Sequence, residues 1–577
     1  MQFLLVALNT KYIHSNPAVY SLRGYLPAEK RTHVDIAEYT INNSVGEILA
    51  GIYEKKPNVI GLSCYIWNIY MMLELVRELP KLLPEVPIFL GGPEVTYRAE
   101  ELMAQYPQLT GIMVGEGEET FAELVNHYLA GEGSLAEIAG LCLADGLTAP
   151  RPLTDINKLP FLYDDLTDFE NKIIYYESSR GCPFRCSYCL SSIDKTVRLR
   201  DIEIVKKELD FFLANRVKQV KFVDRTFNCN RDHAMAIWCH ILEHDNGVTN
   251  FHFEVSADLL TEEEIALLNQ MRPGLAQLEI GVQSTNPETI KAIRRSMNLE
   301  KLSANVAAVN RGENVHQHLD LIAGLPYEDY ESFANSFNEV YAMKPEQLQL
   351  GFLKVLSGSY MHEMAEEYGI VYMDKPPYEV LYTKWLSYED VMRLKRIEEM
   401  VEMYYNSNQF VHTICLLERA FESPFAMYEA LADFFVEKGY FLQNPARSYR
   451  YQVLLDFACS VDGANEDAYR QLLTFDLYLR EKAKSRPSFA PAKEEDRDFV
   501  REFYIKEAEE RSFLPSYEGY DSKQLLKMTH LESFSYPVWE KDGAKLSQKL
   551  ESPAYILFDY KQRSPLTGDA QITVIDA

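Results

Sequence analysis

Short apolar runs separated by amphipathic stretches set the pattern of the first 130 residues. The runs are Phe3–Leu8, His33–Ile36, Asn58–Ser63, Ile88–Gly91 and Gly111–Val114, and between them lie helical patterns such as Ile69–Leu83 and Glu118–Leu129. Strand and helix signals in this alternation predict a doubly wound parallel α/β domain over residues 1–142, whose ligands sit beyond the carboxyl ends of the strands. A proline- and aspartate-rich stretch with little periodicity, 143–170, reads as a linker. A second alternation follows over 171–365, with six strand candidates: Lys172–Ser178, Val217–Val223, Phe251–Ser256, Leu275–Gly281, His316–Ile322 and Gln347–Leu353. Six β/α units predict a whole or partial barrel that carries its chemistry on the loops after the strands.

Beyond residue 366 the pattern changes to mainly helical periodicity. Helices are expected at Tyr388–Tyr405, Pro424–Lys438, Arg447–Ser460, Glu466–Lys482 and Lys493–Glu510, and a closing β-hairpin at Ala554–Tyr560 and Gln571–Ile575. A chain of 577 residues is expected to hold three or four domains. It has no apolar run long enough for a membrane helix, and its start, MQFLLVALNTKYIH, reads as a buried strand rather than a signal peptide. The expected location is the cytoplasm. A formal charge of -28 disfavours polyanionic partners, so nucleic acid is an unfavoured substrate.

Composition changes the picture most at the cysteines. There are nine, an odd number, and three crowd into ESSRGCPFRCSYCLSS as C-x3-C-x2-C, directly after the first barrel strand. Such crowding points to reduced thiols and a metal site rather than to a disulfide framework. Cys182, Cys186 and Cys189 can ligate three irons of a [4Fe–4S] cubane and leave the fourth iron open to chelate S-adenosylmethionine. Two plainer readings are a structural zinc site, which needs a fourth ligand that no nearby Cys or His supplies, and three unrelated buried thiols. Two glycine-rich strand ends stand out upstream, Leu90-Gly91-Gly92-Pro93 and Val114-Gly115-Glu116-Gly117-Glu118, where a bulky ligand could approach the backbone.

The segment Gly181–Cys189, with an aromatic residue before its last cysteine, resembles the signature of the radical S-adenosylmethionine superfamily. That resemblance implies a 5′-deoxyadenosyl radical generated by reductive cleavage at the cluster. It also implies S-adenosylmethionine contacts from Tyr188, Asp224, Glu254, Ser256, Gln283, Gly324 and Leu353, on strand ends matching VDRTFN, FEVSAD, GVQS and GLP. Arg225 stands where the family has a second acidic residue.

With the barrel behind it, the N-terminal domain resembles the cobalamin-binding domain upstream of many such enzymes. Ser63, Gly91, Gly92, Pro93, Gly115, Glu116 and Gly117 would then line the corrinoid. The D-x-H-x-x-G pattern of base-off cobalamin proteins is absent; His14, after the first strand, is either a cobalt ligand or a capping histidine.

The leading reaction that the resemblance implies is transfer of a methyl group to an unactivated carbon. A cyclisation or rearrangement by the same architecture, and a corrinoid or redox sensor without catalysis, are the alternatives. A methylthiotransferase is rejected, because only Cys64 and Cys142 precede the loop. The expected partners are a small-molecule or peptide substrate and an electron donor such as flavodoxin or ferredoxin, and the setting is anaerobic. The C-terminal region resembles an accessory domain.

Overall fold

A computed structural model describes residues 1–492 and 497–575. The N-terminal strands are β1 (Phe3–Asn9), β2 (Val34–Thr40), β3 (Val59–Ser63), β4 (Ile88–Gly91) and β5 (Gly111–Met113). They are parallel neighbours in the order β2-β1-β3-β4-β5. Alternate residues of β1 bury into opposite layers: Phe3, Leu5 and Ala7 join one apolar cluster, and Leu4, Val6 and Leu8 join the other. A strand buried on both faces needs this unbroken apolar run, which is why Phe3–Leu8 shows no polar alternation. The order reverses between β1 and β3, the topological switch point where open α/β sheets take their ligands.

The expected linker begins inside this sheet. Strands β6 (Leu141–Leu143) and β7 (Gly146–Leu147) form an antiparallel hairpin on the β5 edge. Two-residue pairing across Ala144–Asp145 is too short to leave a periodic signal.

The barrel strands are β8 (Ile174–Tyr176), then β11 (Gln219–Phe222), β12 (Asn250–Val255), β13 (Ala276–Gln283), β14 (His316–Ala323) and β15 (Gln347–Phe352). All six pair in parallel, in the open order β15-β14-β13-β12-β11-β8, as the six strand candidates anticipated. Between β8 and β11 a short ribbon, β9 (Ser179–Arg180) with β10 (Arg198–Leu199), closes the base of the cysteine loop.

The C-terminal region is mainly helical. Pro424–Lys438 forms as expected, and Tyr388–Val401 continues into a π-helical turn at Glu402–Asn406. The first residues of the expected Lys493–Glu510 helix lie outside the described residues; the helix is described over Arg497–Glu510. The closing hairpin gains a third strand: β18 (Thr529–Phe534) pairs with β19 (Ala554–Arg563), which pairs with β20 (Ala570–Ile575). Between barrel and sheet lies a small ribbon of β16 (Val371–Tyr372) and β17 (Val380–Tyr382). Among the described residues, no helix is long and apolar enough to cross a membrane.

Candidate functional site

The cysteine loop is held open by backbone constraints rather than by its own helix. Gly181 has φ +99°, and a Cβ there would meet the Thr196 carbonyl oxygen at 2.0 Å, so only glycine lets the two ends of the loop pass this closely. Ser187 N–H donates to the Ile293 carbonyl at 2.9 Å and its own carbonyl accepts from Met361 N–H at 2.8 Å. These bonds fix the loop against the later barrel segments. Beneath it, the buried Asp224 carboxylate accepts from Ser178 N–H at 3.0 Å, from the Ser178 hydroxyl at 2.8 Å and from the Ser179 hydroxyl. Asp224 therefore braces the strand end that launches the loop.

All nine cysteines are free thiols, and Cys182 and Cys186 are buried. The Cys182 thiol lies 3.7 Å from the Thr226 hydroxyl, and Arg295 Nη1 lies 3.6 Å from Cys186 Sγ. Burial pushes the Cys186 thiol up, while the Arg295 charge pulls it down. Three thiols on one loop, with no Cys or His close by in sequence as a fourth ligand, suit a cubane cluster with one open iron better than a structural zinc.

The barrel mouth around the loop is polar. Buried Gln283 Oε1, Ser187 Oγ and Arg295 Nε have no hydrogen-bond partner, which suits a polar ligand bound there. Gln283 itself sits at φ +74° where β13 slips register against β14, and its amide folds over Gly281. Ser256 is fixed by Asn228, whose side chain bonds both its N–H (2.9 Å) and its carbonyl (3.0 Å), and its hydroxyl donates to Asp258 at 2.7 Å. Tyr188 and Leu353 share one apolar cluster with Leu325, beside Gly324. Burial pushes the Tyr188 hydroxyl well up.

Deeper in the barrel the inward positions of the strands are Lys221, His252, Glu254, Glu279, His318 and Asp320, where barrel interiors usually carry branched apolar side chains. Glu279 lies 2.9 Å from His252 Nε2 and accepts from Lys221 Nζ at 3.0 Å, and these two hold it at about 2 against its own burial. Glu254 rises to about 7 through burial and then the Glu279 charge.

Asp320 rises to about 8, through burial first and then the charges of Glu279 and Glu254. The folded chain therefore keeps a proton on Asp320 that the unfolded chain releases above about pH 3.9. Its contribution to stability is full below that pH and is lost as pH rises through 8. Asp320→Asn should flatten this decline, read as urea midpoints at pH 6 and pH 9. Equal declines in the parent and the variant would show that Asp320 ionises normally.

The two glycine-rich loops and the cysteine loop face each other across one cavity of about 460 Å³, within the usual size range for ligand pockets. One wall is Ser63, Gly91–Pro93 and Gly115–Glu118; the other includes Gly181, Leu190 and Ser191, with Tyr65 and Arg225 also lining it. Gly92 has φ +118° and a Cβ there would lie 2.4 Å from the Cys64 carbonyl oxygen; Gly115 has φ +83° and opens onto empty space. The glycines leave part of this wall as bare backbone, most openly at Gly115, where a bulky ligand can approach closely.

Arginines tie the walls together. Arg180 pairs with Glu118 at 3.0 Å and Glu177 at 2.8 Å, and Arg198 Nη1 donates to Glu116 at 3.0 Å. Burial pushes Glu116 up, but Arg198 and Arg180 outweigh it and hold the carboxyl at about 2.

Most of the sequence-derived residues thus gather at two adjoining places. His14 does not: it lies outside the cavity wall, with Nδ1 2.6 Å from the Tyr175 hydroxyl on the barrel strand β8. Burial, Lys11 and Lys221 all lower its proton affinity. Glu116 lines the cavity but spends its carboxylate on Arg198. Sequence reasoning missed Arg180, Arg198 and Arg295. The first two flank the loop at its base, and nothing in their spacing marks them; Arg295 follows the helix Pro287–Ala292, in no recognisable motif.

Family models divide the chain in the same way. Residues 4–125 match the B12 binding domain, residues 176–340 the Radical SAM superfamily, and residues 366–558 a protein family of unknown function, DUF4080. The chain is 26% identical over 372 residues to the cobalamin-dependent radical SAM methyltransferase TokK of Streptomyces tokunonensis, a match covering 58% of this chain and 53% of TokK. It is 27% identical over 337 residues to the 2-(S-pantetheinyl)-carbapenam-3-carboxylate methyltransferase of Streptantibioticus cattleyicolor, covering 52% of this chain and 46% of that enzyme. The chain thus spans about half the length of these curated relatives. Its fold is similar to that of the cobalamin-dependent S-adenosylmethionine radical enzyme OxsB, with a TM-score of 0.57 at 15% identity, over 80% of this chain and 79% of OxsB.

Proposed function

We propose that this chain, a radical S-adenosylmethionine protein with an N-terminal cobalamin-binding domain, transfers a methyl group to an unactivated carbon of a polar substrate. The observation that carries this reading is the single cavity walled by the glycine cradle on one side and by the cysteine loop on the other. When bound, the [4Fe–4S] cluster would supply the electron that cleaves S-adenosylmethionine, and the corrinoid would supply the methyl group.

Cys182, Cys186 and Cys189 would hold the cluster, with Gly181 and Ser187 fixing their loop. Gln283, Glu254 and Ser256 would orient the S-adenosylmethionine, and Tyr188 with Leu353 would pack against it. Ser63, Gly91, Gly92, Gly115 and Gly117 would receive the corrinoid. With His14 on Tyr175, cobalt would bind without a protein imidazole. The polar barrel interior suits a substrate with hydrogen-bonding groups better than a hydrocarbon, because buried polar side chains are costly unless partnered. Free thiols throughout support a reducing, cytoplasmic setting, and a flavodoxin- or ferredoxin-like protein would be the electron donor.

The test is anaerobic reconstitution with iron, sulfide, corrinoid, dithionite and S-adenosylmethionine carrying a labelled methyl group. The expected products are 5′-deoxyadenosine and, with cell extract as the substrate source, a labelled small molecule. Absence of 5′-deoxyadenosine with and without extract would sink the catalytic reading; 5′-deoxyadenosine with an unlabelled rearranged product would replace methyl transfer by rearrangement.

A further inference from the structure

On the outside of the barrel, two neighbouring helices carry a cluster that the proposed reaction does not use. Helix Ile202–Ala214 presents Asp210, and helix Arg231–Glu243 presents His240 in its last turn with His244 as its cap. One donor atom from each of the three residues lies within 4.8 Å of the other two. His240 Nε2 is 2.7 Å from Asp210 Oδ1, and the two imidazole rings stack at 4.2 Å between centroids, 28° from parallel.

From this cluster we propose that Asp210, His240 and His244 form a surface site for a divalent transition metal, with zinc as its natural ion. Two imidazole nitrogens and one carboxylate oxygen are the borderline donor set that zinc accepts, and water would complete a tetrahedron. The His244 ring is already oriented. His244 Nδ1 lies 2.9 Å from the His240 carbonyl oxygen, and donation there fixes the tautomer and leaves the Nε2 lone pair free. The site also stands at a helix C-terminus, where the unpaired carbonyls favour a cation. Asp210 is 54% exposed, so its side chain is free to adjust by the small distance that coordination requires.

A His240–Asp210 hydrogen bond and the His244 cap on the His240 carbonyl account for the contacts in pairs. Coordination would join all three groups at one ion. Coordination through His240 Nε2 needs the neutral ring with its proton on Nδ1, and protonation of either imidazole competes with the ion, so affinity falls as pH drops. The two helices that an ion would join both back the cysteine loop. The first is capped by Asp201, just past β10; the second carries His233, whose Nε2 is 3.3 Å from the Ser178 hydroxyl. The ion would clamp the C-terminal halves of these helices together, at the ends away from the loop.

The test uses the holoprotein, with cluster and corrinoid in place, and zinc alone as the probe. After equilibration with zinc and removal of free metal, the parent should hold one equivalent more than the H240Q/H244Q double variant. Zinc should raise the melting temperature of the parent and leave that of the variant unmoved. D210N, at an exposed position that cannot upset the core, should weaken zinc binding at least tenfold in titration calorimetry. Equal zinc content in the parent and the double variant, or a D210N affinity equal to the parent's, would overturn the site. Neither result depends on catalytic turnover.

Discussion

Cys186→Ala is expected to purify folded, with corrinoid bound, and without the broad visible absorbance and the iron and sulfide of a cluster. The thiol is buried beside Arg295, at 3.6 Å, and removing one of three thiolates leaves a cubane two protein ligands. The loop backbone does not depend on that side chain, since Gly181, Ser187 and the bonds to Ile293 and Met361 hold it. Circular dichroism should therefore match the parent, and S-adenosylmethionine cleavage should fall to background. Iron and sulfide analysis decides the matter: a variant that kept the parent's full content would show that these cysteines are not the cluster ligands.

Gly92→Ala should give the reverse pattern, with the cluster retained and the corrinoid lost. The position combines φ +118° with a 2.4 Å approach to the Cys64 carbonyl, so a methyl group must push apart the ends of β3 and β4. Strained left-handed backbone alone costs on the order of 1–3 kcal/mol. Displacing the cradle by that much should weaken corrinoid binding at least about tenfold, which corresponds to about 1.4 kcal/mol. The measurement is corrinoid content after anaerobic loading, normalised to iron. Parent-like loading would mean that the glycine cradle is not where the corrinoid sits. Together the two variants separate the cofactors, because each removes one and spares the other.

The fold was legible wherever periodicity was strong. Strand β13 alternates buried and half-buried residues over all eight positions, and Phe3–Leu8 is apolar throughout, so both stood out. Strand β18, THLESF, was missed because His530 and Glu532 break its apolar signal; pairing with β19, their own contact at 3.0 Å and Arg486, 2.6 Å from Glu532, accommodate them. The hairpin of β6 and β7 was missed for its length. In the site, the cysteines and glycines were legible because each answers a local demand, ligation or backbone approach. The arginines were not. Arg180, Arg198 and Arg295 act on partners 62, 82 and 109 residues away, and no window of sequence holds both ends of such a pair. The cofactors' identities came from resemblance rather than from periodicity, whereas the polar barrel interior became visible only when the strands were laid side by side.

Arg180 and Arg198 bear on how the finished protein comes to contain its cofactor. They stitch the glycine-loop wall to the cysteine-loop wall, so the chamber exists only once the two halves have met. A ring seated in this cavity would touch both walls at once. Whatever then touches both walls adds its own binding free energy to the junction. A chain without its corrinoid should therefore be the one whose seam salt opens most easily, since ion pairs alone then hold it.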